Sequence, residues 1–371
     1  MAQVLEINQI DQLAQFRQEW GYLLRQTCGA SFFQSLEWLE IFWRHFGRGQ
    51  KLRVLVVLAG DRPTGILPLV VRSEATKVGR LRVLTFPLHD WGSFYGPIGP
   101  DPDSTLAAGL EHLRRTRRDW DILELRWQGA PGTDPTQTQR AMLTAGFQAY
   151  PTVWDHTAIV DLAGTWESYW SARKDAWLQR FRHVEHKLSE QGEISCVRYR
   201  PLGRPHDDGS PRWDLYDACE EIARRSWQGA ATNGTTLSHE SVRGFLREVH
   251  EAAAAAGAVD LSLLLIDRAP VAFLYNYHYR GYVYGLRRGH DAERLWRGAG
   301  HVLLAYTLRD SFARGDRVYD LGVSSLEGKR RFQTRLLPIL RFSHFPPLAA
   351  RTQLLRIKRW WQGRRLGPVK Q

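Results

Sequence analysis

A chain of 371 residues, 43% of them apolar, can bury two cores, which excludes wholesale disorder. Its net charge of +12 favours polyanions, phosphorylated cofactors or anionic membranes without choosing among them. Three widely spaced cysteines, Cys28, Cys196 and Cys219, imply neither a disulfide framework nor a zinc knuckle. The N-terminus lacks a basic segment followed by an apolar stretch, and no window reaches the ~20 apolar residues that span a bilayer. The expectation is a cytoplasmic protein, soluble or peripheral to the inner membrane.

In chain order, "LRVLVVLAGDRPTGILPLVVR" (52–72) reads as two apolar strands split by an Asp-Arg turn, an antiparallel hairpin. "STLAAGLEHLRRTRRDWDILELR" (104–126) supplies a helix and then a strand. "GAPGTDPTQTQ" (129–139) is a loop, followed by a short helix ending near Gly146. "YPTVWDHTAIVDLAG" (150–164) is a strand leading into the second half, with the boundary near 155. Residues 165–193 are helical, with Thr165 as N-cap and Gly192 as stop. Residues 213–227 and 238–257 are helices, the second ending at Gly257.

The first pattern then returns. "LSLLLIDRAPVAFLYNYHYR" (261–280) is again a hairpin with an Asp-Arg turn. "GYVYGL" (281–286) is a strand, 287–298 a loop, and a helix begins near Gly300 and ends at Gly315, before the strand "RVYDLG" (317–322). The spacing predicts an internal duplication. Its units are residues 1–155 and 156–345, with a basic tail at 346–371.

The loop-to-helix junction carries "RGAG" (297–300). A helix start presents unpaired N–H groups and partial positive charge, and glycines there let an anion reach the backbone. Arg294 and Arg297 add fixed charge. Neither the nucleotide P-loop nor the dinucleotide fingerprint is present. A tight turn with solvated arginines is the alternative reading.

This junction resembles the R-G-x-G core of the pyrophosphate loop in GNAT acyltransferases. The fuller pattern has Gln or Arg three positions before the first glycine, where this chain has Leu295, with Arg294 one step earlier. "FFQSLEWLEIFWRHFG" (32–47), the first hairpin and "RLRVLTF" (80–86) resemble the N-terminal half of FemAB-like, double-GNAT proteins. That group includes the CelD/BcsL type of bacterial cellulose and exopolysaccharide biosynthesis. "ARRSWQG" (223–229), "DRAPVAF" (267–273) and "YDLGVSSLEGKRRF" (319–332) resemble its C-terminal half.

The resemblance implies an α+β fold of tandem GNAT-like domains, each a mixed, mostly antiparallel sheet flanked by helices. It implies a degenerate first copy and a second copy that holds the donor. That donor is acetyl-CoA or another acyl-CoA, gripped by Arg294, Arg297, Gly298, Ala299 and Gly300. The acceptor is an amine on a small molecule, amino sugar or peptide. FemAB-like relatives also use aminoacyl-tRNA, so tRNA stays open as a donor, as does a non-catalytic scaffold.

N-acyl transfer needs a base for the amine and donors for the carbonyl oxygen; no covalent enzyme intermediate is required. Lys329, in "EGKRRF", is expected by the resemblance beside the donor, polarising the carbonyl or holding phosphate, with a surface lysine in the basic run Lys329-Arg330-Arg331 as the other reading. Tyr319 and Asp320 end a strand next to the donor groove, Asp320 as base or as an orienting carboxylate. His290 and Asp291 lie in the loop before "RGAG", within reach of the acceptor amine. Trp227 and Gln228 line the acceptor groove, with core packing as the other reading of Trp227. "HVEH" (183–186) matches no metal motif, and no metal is expected. Residues 350–371 carry seven basic and no acidic residues among apolar ones. That composition suits docking on the protein, solvation or peripheral membrane contact.

Overall fold

The computed structural model describes residues 3–226, 229, 236–292, 296–323 and 325–365. The first half runs β1 (Gln3–Ile7), α1 (Arg17–Gln26), α2 (Leu36–Phe46), β2 (Lys51–Ala59), β3 (Arg62–Thr76), β4 (Gly79–Thr85), α3 (Pro102–Arg115), β5 (Ile122–Gln128), α4 (Gln137–Thr144) and β6 (Tyr150–Asp161). The second runs α5 (Trp166–Ser171), α6 (Asp175–Ser189), β7 (Ile194–Tyr199), α7 (Trp213–Arg225), α8 (Glu240–Ala255), β8 (Val259–Ile266) and β9 (Ala269–Tyr279). It continues with β10 (Tyr282–His290), α9 (Ala299–Ala313), β11 (Val318–Asp320), α10 (Leu326–Lys329), β12 (Arg335–His344) and α11 (Ala350–Arg365).

Two compact units result. One holds residues 1–89, 94–155 and 338–371; the other holds 90–93 and 156–337. In the first unit the strand order is β1-β2-β3-β4-β5-β12. Every neighbour is antiparallel except β4 and β5. In the second unit the order is β7-β8-β9-β10-β11-β6. Every neighbour there is antiparallel except β10 and β11. The repeat is therefore real: strand, two helices, three-strand meander, helix, parallel strand. Each sheet is closed by a strand from the other repeat, β12 beside β5 and β6 beside β11.

Local chemistry explains the elements. Asp267 and Arg268 at the β8–β9 turn both adopt left-handed backbone, φ 47° and 65°, as a two-residue type I′ hairpin requires. Thr165 caps α5 by accepting the Ser168 N–H at 3.2 Å, and Gly257 ends α8 at φ 70°. Helix α3 approaches the sheet so closely that a Cβ on Gly109 would lie 2.6 Å from Leu67. In the second unit Val302, Leu303, Leu304 and Leu308 of α9 are buried with Leu264, Val271 and Leu274 of the sheet. Each such side chain stabilises by roughly 1.5–3 kcal/mol.

Three elements differ from the sequence reading. Residues 165–193 form two helices, α5 and α6, rather than one helical stretch. β10 continues to His290 instead of ending at 286, because pairing with β9 resumes after a bulge between Gly285 and Arg287. The basic tail is a helix, α11, fixed by buried Leu355 and by an ion pair from Arg359 to Glu124.

Candidate functional site

The site of interest in the second unit begins where β10 and β11 part. They pair in parallel only from Tyr282–Tyr284 against Val318–Asp320. β10 then runs on to His290, bonded on its other edge to β9, while the chain turns out of β11 at Gly322, φ 81°. A Cβ on Gly285 would lie 2.6 Å from the Asp320 carbonyl oxygen, and one on Gly322 would lie 2.8 Å from that of Gly285. Two glycines thus let the backbones touch and then diverge. Past them, β10 pairs with β9 alone among the described strands. The bulge takes Leu286 out of the β9 register.

β10 is followed in sequence by the start of α9. Gly298 is its N-cap at φ 97°, and a Cβ there would strike Val184 of α6 at 2.5 Å. The Ala299 N–H donates to Trp296 O, while His301 and Val302 donate to Gly298 O. Gly300 N–H meets no acceptor among the described residues, and a Cβ on Gly300 would meet nothing within 4 Å. No acidic residue sits in the first turn, and Arg297 is exposed beside it. This helix start is open to an anion.

The matching helix of the first unit is closed. Asp101 caps α3, accepting from the Ser104 N–H at 3.0 Å and Ser104 Oγ at 2.6 Å, bonds that hold its carboxyl below the usual range. Pro102 lacks an N–H, and Asp103 adds a second carboxylate to the first turn. The positive end of α3 is already neutralised by these carboxylates, whereas the first turn of α9 has none.

Asp320 and Lys329 meet at Gly322. Asp320 is buried and accepts from the Gly322 N–H at 2.7 Å and from the Thr157 hydroxyl. Burial outweighs those bonds and nearby Lys329, and pushes its pKa up to about 6. Lys329 is also buried; its ammonium donates to Gly322 O at 2.7 Å and to Val323 O. The lysine thus clasps the loop that leaves β11. Tyr319 points to the opposite face, as strand alternation requires, and accepts from Asn276 Nδ2 at 2.9 Å. Burial pushes its hydroxyl pKa up.

His290 ends β10 instead of lying in a loop; burial and Arg288 lower its pKa. Asp291 is buried, with Arg225 Nε at 3.5 Å from its carboxylate. Arg294, Trp227 and Gln228 lie outside the described residues. Among the described residues no group of three or more His, Cys, Asp or Glu is placed to hold a metal ion.

Sequence reasoning missed three side chains. His301 follows Gly300 directly. Burial, then Arg288 and Arg331, lower its pKa to about 4, so it is neutral at pH 7, with its ring 5.8 Å from that of Phe332. Burial lowers the Arg288 pKa, and Gly328 lies against its guanidinium. Arg287 lies 4.0 Å from the centroid of Trp91 and donates to Leu286 O; burial lowers its pKa to about 10. The dipeptide Arg287-Arg288 inside an apolar strand was the available signal.

The family model described as "Acetyltransferase (GNAT) domain" matches residues 178–333. No curated protein matches the chain in sequence. Among solved structures, one described as FemX is similar at a TM-score of 0.61 and 11% identity, covering 95% of this chain and 99% of its own. A DUF2156 domain from Agrobacterium fabrum, described as the C-terminal domain of a lysylphosphatidylglycerol synthetase, has a TM-score of 0.53 and 11% identity. That match covers 94% of this chain and 95% of the other. Residues 178–333 of the second unit thus match a GNAT-type acetyltransferase domain, and the first unit repeats the topology, a tandem GNAT fold.

Proposed function

We propose that the chain is an N-acyltransferase that takes an acyl group from acetyl-CoA or a longer acyl-CoA. The supporting observation is the contrast between the two helix starts: open at Gly298–Gly300, closed by Asp101 in the other unit. The donor diphosphate lies on the amides at the start of α9, next to Arg297. The amide-bearing pantetheine arm runs along β10 beyond Gly285, where the pairing with β11 has ended. The thioester carbonyl then faces the bulge, where the Leu286 N–H is the donor for the oxygen as it gains charge.

The amine nitrogen bonds to the carbonyl carbon as its proton passes to Asp320, directly or through water; a carboxyl with a pKa of about 6 is ionised and basic enough at pH 7. The carbon–sulfur bond breaks, and the coenzyme A thiolate leaves, taking up the proton held by Asp320 directly or through water. Lys329 holds the β11–α10 loop that forms one wall. The acceptor is an amine on a small molecule, amino sugar or peptide of envelope or exopolysaccharide synthesis, a reading supported by the resemblance over residues 30–335.

Thermal-shift titration with acetyl-CoA, longer acyl-CoAs and tRNA tests the donor, because a ligand of the native state raises Tm. The expected result is a saturable rise with an acyl-CoA. A rise with tRNA alone supports aminoacyl transfer, which the net charge of +12 also suits. No rise with any of them overturns both.

A further inference from the structure

Helix α11 is held by one face. Thr352 and Leu355 are buried, Arg356 donates to the Tyr150 hydroxyl at 2.7 Å, and Arg359 pairs with Glu124. The outward face carries Leu354, Ile357, Trp360 and Trp361, which are 54%, 48%, 51% and 56% exposed. At about 100° per residue, Leu354, Ile357 and Trp361 fall within a sector of about 60°, with Trp360 at its margin. Exposed Arg351 and Lys358 border the sector on the other side, Lys358 reaching Lys77 O at 3.0 Å. Leu348, just before the helix, is 98% exposed.

Single exposed apolar residues are ordinary; two tryptophans, a leucine and an isoleucine side by side on a docked helix are not. We propose that this face of α11 rests on an anionic lipid surface. Its tryptophans and aliphatic side chains enter the headgroup boundary, and Arg351 and Lys358 meet lipid phosphates. Charge decides between this partner and a second copy of the chain. Arg351 and Lys358 border this face and residues 350–371 hold no acidic residue, so two such faces brought together would oppose like charges.

The test is co-sedimentation of the full chain with vesicles of phosphatidylcholine alone and of phosphatidylcholine with 30% phosphatidylglycerol, about a third anionic lipid as an anionic surface requires. Binding is expected only to the anionic vesicles and weakens as salt rises. The triple variant Leu354→Gln, Ile357→Gln, Trp361→Gln changes only exposed positions, so it keeps the native circular dichroism spectrum and lowers partitioning about tenfold or more. Leu202→Gln, another exposed position, leaves partitioning unchanged. Equal binding of wild type and triple variant, or no binding to anionic vesicles, overturns the proposal. So does a concentration-dependent dimer in sedimentation velocity that the triple variant abolishes while vesicles go unbound.

Discussion

Glu124 and Asp320 hold the same place in the two repeats. Each is the third residue of the strand after the long helix, each is buried, and each meets a hydroxyl from the antiparallel strand beside it, Ser343 or Thr157. Their electrostatics are opposite. Burial pushes Glu124 up, but Arg126, Arg359 and Arg341 outweigh it and hold its pKa below the ordinary range. Asp320 has no such arginines, and burial wins. One repeat has turned its buried acid into an ion-pair anchor; the other keeps a carboxyl able to exchange a proton near neutrality.

Asp320→Asn is expected to change both activity and the pH dependence of stability. A carboxyl raised from 3.8 to about 6 is favoured neutral in the fold, so its contribution is fully present below pH 3.8 and is lost as pH rises to about 6. The loss is on the order of 3 kcal/mol. Urea unfolding of the variant should lack that decline. If Asp320 takes the amine proton, kcat/KM of the wild type rises through an apparent pKa near 6, and the variant loses that limb.

Glu124→Gln is expected to have the reverse signature. A depressed carboxyl contributes stability above its unfolded value of 4.5, lost as pH falls through the folded one. Leaving Arg126 and Arg359 without their buried partner should cost about 3–5 kcal/mol, seen as a lower urea midpoint at pH 7. Acyl-CoA affinity should not change.

Gly300 and Gly298 separate binding from folding. Gly300→Asp places a carboxylate where α3 has its own acidic first turn, in space that is open, so unfolding should shift by less than about 1 kcal/mol. Calorimetry should show coenzyme A affinity lowered about tenfold or more, as two like charges in contact require. Gly298→Ala instead meets Val184 and a left-handed backbone, and should lower stability by at least about 1–2 kcal/mol.

Lys329→Met removes the clasp on Gly322 and Val323. Two carbonyls losing their donor in a buried site should cost about 1–3 kcal/mol. The apparent pKa assigned to Asp320 should rise further, since the nearby ammonium lowers it. A pH profile of kcat/KM reads that shift.

The hairpin, the helix and the strand after it were legible in each repeat because their signals are local: apolar runs, an Asp-Arg turn, a helix-period stretch. β12 was not legible. Its run is broken by Pro338, and its partners, such as Gln128 opposite Leu340, lie far away in sequence. The open helix start showed as "RGAG", yet the contrast with α3, capped by Asp101, is invisible until the repeats are matched. Lys329 looked like part of a surface basic run because sequence carries no burial. His301 was passed over although it adjoins Gly300, because an environment that keeps its imidazole neutral is made by distant Arg288 and Arg331.

The most direct test of the central claim is a crystal structure with coenzyme A bound. The account predicts the diphosphate on the main-chain amides at Gly298–Gly300, with the pantetheine arm along β10 beyond Gly285. A diphosphate seated at the start of α3, or a pantetheine arm that does not lie along β10, would contradict it.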